Sequence, residues 1–298
     1  MAEDDFYFGT TPVDLARKGK SVLIVLINHT SAIGDELERS LGQSPIPRVV
    51  ISSGLAPKDE FRIWRRLKVE ANRLRHESNK ECVVLRKAIL RRAAMEATAN
   101  NSKTSLRIAR VISEVVLRCQ AKTLVTTYEG HAWERVTYAS VREAKPDVVC
   151  IAYLHAALFR LQHAAQRSLG EKYDPDFILT AGPVGLKQFQ NSGSLRRIPS
   201  AILGSNRSIS KVNPNRGAAC LVLPEGLAEE CKILFAFSLL CAEACPQIEF
   251  IWRLHPILTF KNLVRQFPIL KTRPSNVKIS TRTFEDDIAR STWALYRG

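Results

Sequence analysis

Residues 122–155 read KTLVTTYEGHAWERVTYASVREAKPDVVCIAYLH, and the reading of this stretch decides the fold. Thr123 to Thr127 is a short β-branched run, Ala132 to Glu143 repeats its apolar residues at helical spacing, and Val148 to Tyr153 is a second strand-like run. A strand, a helix and a strand in succession make a parallel β-α-β unit, because two parallel strands need a crossover and a helix supplies it.

Working outward, the same alternation continues. Phe159 to Leu169 reads as a helix and Phe177 to Thr180 as a strand, while upstream Val22 to Ile27 and Val49 to Ser52 read as strands joining the same sheet. The stretch from Asn191 to Gly217 is rich in Gly, Pro and polar residues and has no apolar period, so it reads as a linker. Beyond it come strand Ala218 to Leu223, helix Leu227 to Ala244, strand Glu249 to Arg253, helix Phe260 to Gln266, strand Val277 to Ile279, helix Phe284 to Ala289 and strand Trp293 to Tyr296. The expected architecture is α/β with two Rossmann-like domains: 1–190, a linker 191–217, and 218–298. A doubly wound domain places a turn and a helix after such a last strand, so the second half reads as truncated at its C-terminus.

At 298 residues the chain is long enough for two cores, and its 45% hydrophobic content is that of a soluble protein. No window approaches the roughly 20 apolar residues of a membrane span, and the acidic start Met1-Ala2-Glu3-Asp4-Asp5 lacks the features of a signal peptide, which points to the cytoplasm. The seven cysteines show no paired zinc spacing. The net charge of +15 is concentrated: residues 58–118 hold 16 Lys and Arg against 7 Asp and Glu. This segment reads as helix, broken near Asn79 and around Asn100-Asn101. Phe61, Trp64, Leu67, Ala71 and Leu74 form its apolar face, and Arg62, Arg65, Arg66, Arg73 and Arg75 point elsewhere. Such a face is either simply solvated or attracts an anionic partner, membrane phospholipid or substrate phosphate.

In open parallel sheets ligands bind beyond the carboxyl ends of the strands, so residues just after each strand are the candidates for chemistry. Glu129, Gly130, Trp133 and Glu134 follow the strand ending at Thr127; as a bland alternative the acids offset a helix dipole and the glycine turns the chain. His155 closes the next strand and is either a core histidine or a base. Glu225 and Gly226 follow strand 218–223, where a glycine admits phosphate to backbone N–H groups. His255 ends strand 249–253 ahead of Pro256, which favours an extended backbone that aims the imidazole into an interdomain cleft.

The motifs YEGHAWER at 128–135, AYLH at 152–155, AGP at 181–183, LPEG at 223–226, RLHP at 253–256 and YRG at 296–298, in that order, resemble the bacterial surface carbohydrate (O-antigen and capsule) biosynthesis proteins of the GT-B glycosyltransferase group. The resemblance covers residues 123–298 and only the layout of the first 120. It implies transfer of a sugar or related group from a nucleotide-activated donor to a glycan or lipid-linked acceptor. By position, Arg253 and His255 would contact donor phosphate, with Arg297 and Gly298 beside them and Glu225 and Gly226 near the nucleotide. Glu129 would be the general base, with His155 the competing base. Gly130, Trp133, Glu134 and Gly182 would shape the acceptor side. The group needs no metal or other cofactor, in keeping with the absence of a D-x-D sequence. The basic segment would then hold the enzyme at the inner face of the cell membrane. Two readings compete: a catalytically silent GT-B scaffold, and a basic nucleic-acid-binding protein. The second finds no recognition motif beside the charge, so no nucleic acid is expected.

Overall fold

The computed structural model describes residues 5, 7–28, 44–51, 54–156, 158, 163–205, 217–255 and 258–296. The chain divides into two compact units, Met1–Arg207 and Ser208–Gly298. Among the described residues no helix is long and apolar enough to cross a membrane.

The first unit opens with helix α1 (Thr11–Arg17) and the parallel strands β1 (Ile24–Ile27) and β2 (Arg48–Ile51). Three helices follow: α2 (Pro57–Lys80), α3 (Val84–Ala97) and α4 (Asn100–Arg118), broken close to the two expected asparagine positions. Then β3 (Thr123–Thr127), α5 (Ala132–Ala144), β4 (Val149–Leu154), the single turn α6 (His163–Gln166), β5 (Phe177–Thr180), α7 (Pro183–Gln190) and β6 (Ser200–Ile202) build a four-stranded parallel sheet in sequential order. Its main core sets Ile108, Ile112 and Val116 of α4 against Tyr138 and Val141 of α5 and Cys150 of β4, with Val25, Ile27 and Ile51 contributing. The buried phenol of Tyr138 is satisfied by Thr126 Oγ1 at 2.6 Å.

The second unit is a four-stranded parallel sheet of β7 (Ala219–Leu223), β8 (Glu249–Trp252), β9 (Val277–Ile279) and β10 (Ser291–Tyr296), with helices α8 (Ala228–Ala244), α9 (Phe260–Gln266) and α10 (Phe284–Arg290). The spatial order β9-β8-β7-β10 places the first two crossovers on one side of β7 and the third on the other. The order therefore reverses between β7 and β10, the Rossmann switch point. Its core stacks Trp252 on Phe235 with ring centroids 4.3 Å apart, and Trp252 Nε1 donates to Ser238 Oγ at 2.7 Å. Both units are thus Rossmann-like α/β assemblies, each with its own hydrophobic core.

Four expectations are corrected. Among the described residues β1 and β2 form their own ladder and do not join the sheet of β3 to β6; apolar periodicity encodes which face of a strand is buried, not which edge it pairs. The stretch 191–217 is not linker throughout, because β6 lies inside it and pairs with β5; three residues are too few to show a period. Helix Phe159 to Leu169 is observed only as α6, with 159–162 outside the described residues. Its continuation is intercepted: Arg135 takes the carbonyls of Ala164 and Arg167, and Asp174 takes the N–H of Leu169. Finally, the apolar face of α2 is buried only in part: Ala71 is fully buried and Leu67 and Leu74 are half-buried, but Phe61 is 60% exposed and Trp64 stacks on it in solvent.

Candidate active site

Parallel pairing of β3 with β4 sets Thr127 opposite Tyr153, an offset of 26 residues. Carried two residues further, the same offset places Glu129 beside His155, and the Tyr128 N–H still bonds the Tyr153 carbonyl at 2.9 Å. Glu129 Oε1 lies 3.1 Å from His155 Nε2, and Glu129 Oε2 lies 2.9 Å from His131 Nε2. One carboxylate therefore bridges two imidazoles at the carboxyl end of the sheet. His155 is nearly enclosed, its side chain 8% exposed and edge-on to Tyr7 at 4.7 Å, whereas Glu129 is 40% exposed. A half-open carboxylate backed by a sequestered imidazole can take a proton from an incoming hydroxyl and share it.

The loop carrying Glu129 is fixed from below. Glu134, on the first turn of α5, is fully buried and accepts the backbone N–H groups of Glu129, Gly130 and His131 at 2.8–2.9 Å. Burial pushes its carboxyl up from 4.5 to about 7, against the pull of those three donors and of His131. Gly130 sits at φ +84°, and a Cβ there would lie 2.3 Å from the Ala165 nitrogen, so only glycine lets α6 close over the loop. Beneath α6, Arg135 and Asp174 form a buried ion pair at 2.8 Å, and Arg135 also lies over the Tyr128 ring. This pair carries no distinctive sequence signature: 39 residues separate its members. Trp133 packs against the α4–α5 core. Gly182 has an extended backbone with open space where a Cβ would stand, so neither strain nor crowding requires glycine there.

The second unit repeats part of this arrangement. Glu225-Gly226-Leu227-Ala228-Glu229-Glu230 matches Glu129-Gly130-His131-Ala132-Trp133-Glu134 in the spacing of Glu, Gly, Ala and Glu. The buried Glu230 accepts the Glu225 N–H at 3.3 Å, as Glu134 accepts that of Glu129. The offset of 30 that pairs Val222 with Trp252 also relates Glu225 to His255, and both are exposed beyond their strands. Arg253 is tethered through Nη1 to Asp287 Oδ2 at 2.7 Å and to the Arg282 carbonyl at 2.9 Å, with its plane near Phe284. The structure brings Glu129 and His155 into contact and places Glu225, Arg253 and His255 on neighbouring strand ends of the other unit. Pro256, Arg297 and Gly298 lie outside the described residues. Sequence reasoning missed His131 as a partner of Glu129 and missed Arg135, Asp174 and Asp287. The repeated E-G-x-A-x-E spacing was the available signal for the two strand-end loops.

No protein-family model matches the chain, and no curated protein matches it. Among solved structures, it is similar to the UDP-GlcNAc 2-epimerase of Neisseria meningitidis, solved with UDP-GlcNAc bound. The identity is 11% and the TM-score 0.49, covering 93% of this chain and 77% of that one. The Methanocaldococcus jannaschii UDP-GlcNAc 2-epimerase, in complex with UDP-GlcNAc and UDP, gives 11% and 0.48 over 87% and 74%. A Listeria monocytogenes protein assigned as a UDP-N-acetylglucosamine 2-epimerase gives 11% and 0.43 over 64% of this chain, which spans only 54% of that protein. Likeness at this level carries neither activity nor ligand across. What the chain's own geometry defines is an α/β protein of two Rossmann-like units, each with a Glu-Gly loop and a histidine on adjacent strand ends.

Proposed function

We propose that the chain is a nucleotide-sugar-utilising enzyme that transfers a sugar or related group to an acceptor hydroxyl in surface polysaccharide synthesis. The observation that carries this reading is the Glu129 carboxylate held between His155 and His131 at the carboxyl ends of β3 and β4. Glu129, backed by His155, accepts the proton of the acceptor hydroxyl. The freed oxygen attacks the anomeric carbon, and the bond from that carbon to the nucleotide phosphate breaks with its electron pair leaving on phosphate. The second unit takes the donor: its switch point between β7 and β10 is where such sheets bind nucleotides, next to Glu225 and Gly226. His255 and Arg253 stabilise the charge on the leaving phosphate, with Arg297 and Gly298 following β10. Among the described residues Nη2 and Nε of Arg253 make no hydrogen bond, so Asp287 holds one end of the guanidinium and leaves the other for phosphate. The reaction runs without a metal or other cofactor.

The enzyme works in the cytoplasm at the membrane face. Support comes from α3, whose outward side exposes Val84, Leu85, Ile89 and Met95 together with Arg86, Arg91 and Arg92. Exposed apolar side chains interspersed with cations suit the boundary of an anionic bilayer.

The test is incubation of the protein with a panel of nucleotide sugars and glycan or lipid-linked acceptors. Acceptor-dependent nucleotide release is expected, falling about 10²-fold or more in Glu129→Gln and in His255→Ala. Normal turnover in Glu129→Gln moves the base role to His155. Conversion of the donor sugar without any acceptor replaces transfer by isomerisation.

A further inference from the structure

A recess of about 740 Å³ opens between α2, α4 and α5, within the volume range of ordinary ligand sites. One wall is Arg62, Arg65 and Arg66, spaced three and four apart so that α2 presents them together. Across from them stand Ser102 and Ser105 of α4, and Tyr173 lies at the edge. The apolar floor includes Leu67, Leu106 and Val136. Outside the lining, α2 and α4 are tied together by a bidentate ion pair, Arg107 Nε and Nη2 on the two oxygens of Glu60, each at 2.7 Å.

Its charge is unbalanced. Arg62 shares Asp59 at 3.3 Å in solvent, and among the described residues Arg65 and Arg66 have no carboxylate within ion-pair distance. Glu70, the acid in the lining, is engaged by Arg73. Guanidinium groups set close together repel, and an anion between them removes that repulsion while accepting paired N–H bonds from planar forks. The hydroxyls of Ser102 and Ser105 donate to the carbonyls of Glu96 and Asn101, and a rotation about χ1 turns either toward a ligand. The lining also reaches Ala132, the first residue of α5, whose N-cap His131 bonds Glu129.

We infer that this recess binds the phosphate or diphosphate of a phosphorylated ligand, its charge on Arg62, Arg65 and Arg66 and its apolar part on Leu67, Leu106 and Val136. The ligand's role as the acceptor rests on the transfer reading above; the anion site itself does not. The phosphate belongs either to a free phosphorylated compound or to a lipid headgroup.

The test is calorimetric titration of the full chain with inorganic pyrophosphate, and flotation with vesicles containing phosphatidic acid. The protein is compared with an Arg65→Ala/Arg66→Ala variant and with Lys18→Ala/Lys20→Ala, which removes equal charge away from both α2 and α3. All four residues are exposed, so both variants should keep the helical circular dichroism of the parent. Pyrophosphate binding weakened tenfold or more in the first variant and unchanged in the second supports the site with a soluble ligand. Loss confined to the vesicles supports it with a lipid headgroup. Equal losses in both variants, or no binding of either probe, overturns it. If the parent binds pyrophosphate yet shows no acceptor-dependent nucleotide release with any donor, the transfer reading fails while the recess stands.

Discussion

Two residues hold the Glu129 loop in place, Gly130 and Glu134. Gly130 combines a left-handed backbone with the close passage of α6, so Gly130→Ala meets both strain and the Ala165 backbone. Its cost is expected to be at least about 2 kcal/mol, read as a lowered denaturation midpoint; an unchanged midpoint would show that α6 does not close on the loop. Glu134 adds a pH dependence whose sign follows from its raised carboxyl. The folded chain holds a proton on Glu134 up to about pH 7, while the unfolded chain releases it near 4.5. Its contribution is therefore full below the unfolded value and is lost as pH rises through about 7. His131 faces the same carboxylate, and the neighbouring Tyr128 and Tyr138 are held neutral by burial. Urea midpoints measured from about pH 5 to 8 should fall more steeply for the parent than for Glu134→Gln, which cannot ionise. Parallel curves would place the charge of Glu134 outside the folding equilibrium.

Among the elements, α3 is the one whose surface runs against the pattern of a soluble helix. Its outward side exposes apolar residues, Val84 82% and Ile89 57% exposed, with the Arg92–Glu96 ion pair among them and Arg86 and Arg91 at its edges. Each Lys or Arg near an anionic bilayer contributes about 1 kcal/mol, and the apolar side chains add burial in the headgroup boundary. The chain should float with vesicles rich in anionic lipid at low salt and release as salt rises. Leu85→Asp/Ile89→Asp should abolish flotation while sparing pyrophosphate binding in the recess on α2. Retention of that variant at parent level would leave these side chains without a role in membrane contact. Exposed ion pairs such as Arg73 between Glu70 and Glu77 or Arg92 on Glu96 offset their own charges, and the positive field at the surface comes from the excess of 16 Lys and Arg over 7 Asp and Glu in residues 58–118.

At the scale of the molecule, the repeated strand-helix alternation was legible because each element buries its own face, and a period of two or of 3.6 is written into neighbouring residues. Strands 123–127, 177–180 and 277–279 and helix 260–266 stand where the sequence puts them. So do the candidate residues at strand ends, because in a parallel sheet those ends follow from the order of elements alone. The short pieces were not legible: β6 has three residues, α6 has four, and the early strands pair apart from the main sheet. Periodicity by itself determined that this is an α/β chain with two Rossmann-like units and that Glu129, His155, Glu225 and His255 end or follow strands. Only tertiary structure decided that Glu129 joins His155 and His131, that Glu134 lies beneath their loop, that Arg135 reaches Asp174, and that three arginines share a recess with α4. These are contacts between residues far apart in the chain, set by strand register and helix packing, and no local period records which distant side chain fills the other half of a contact.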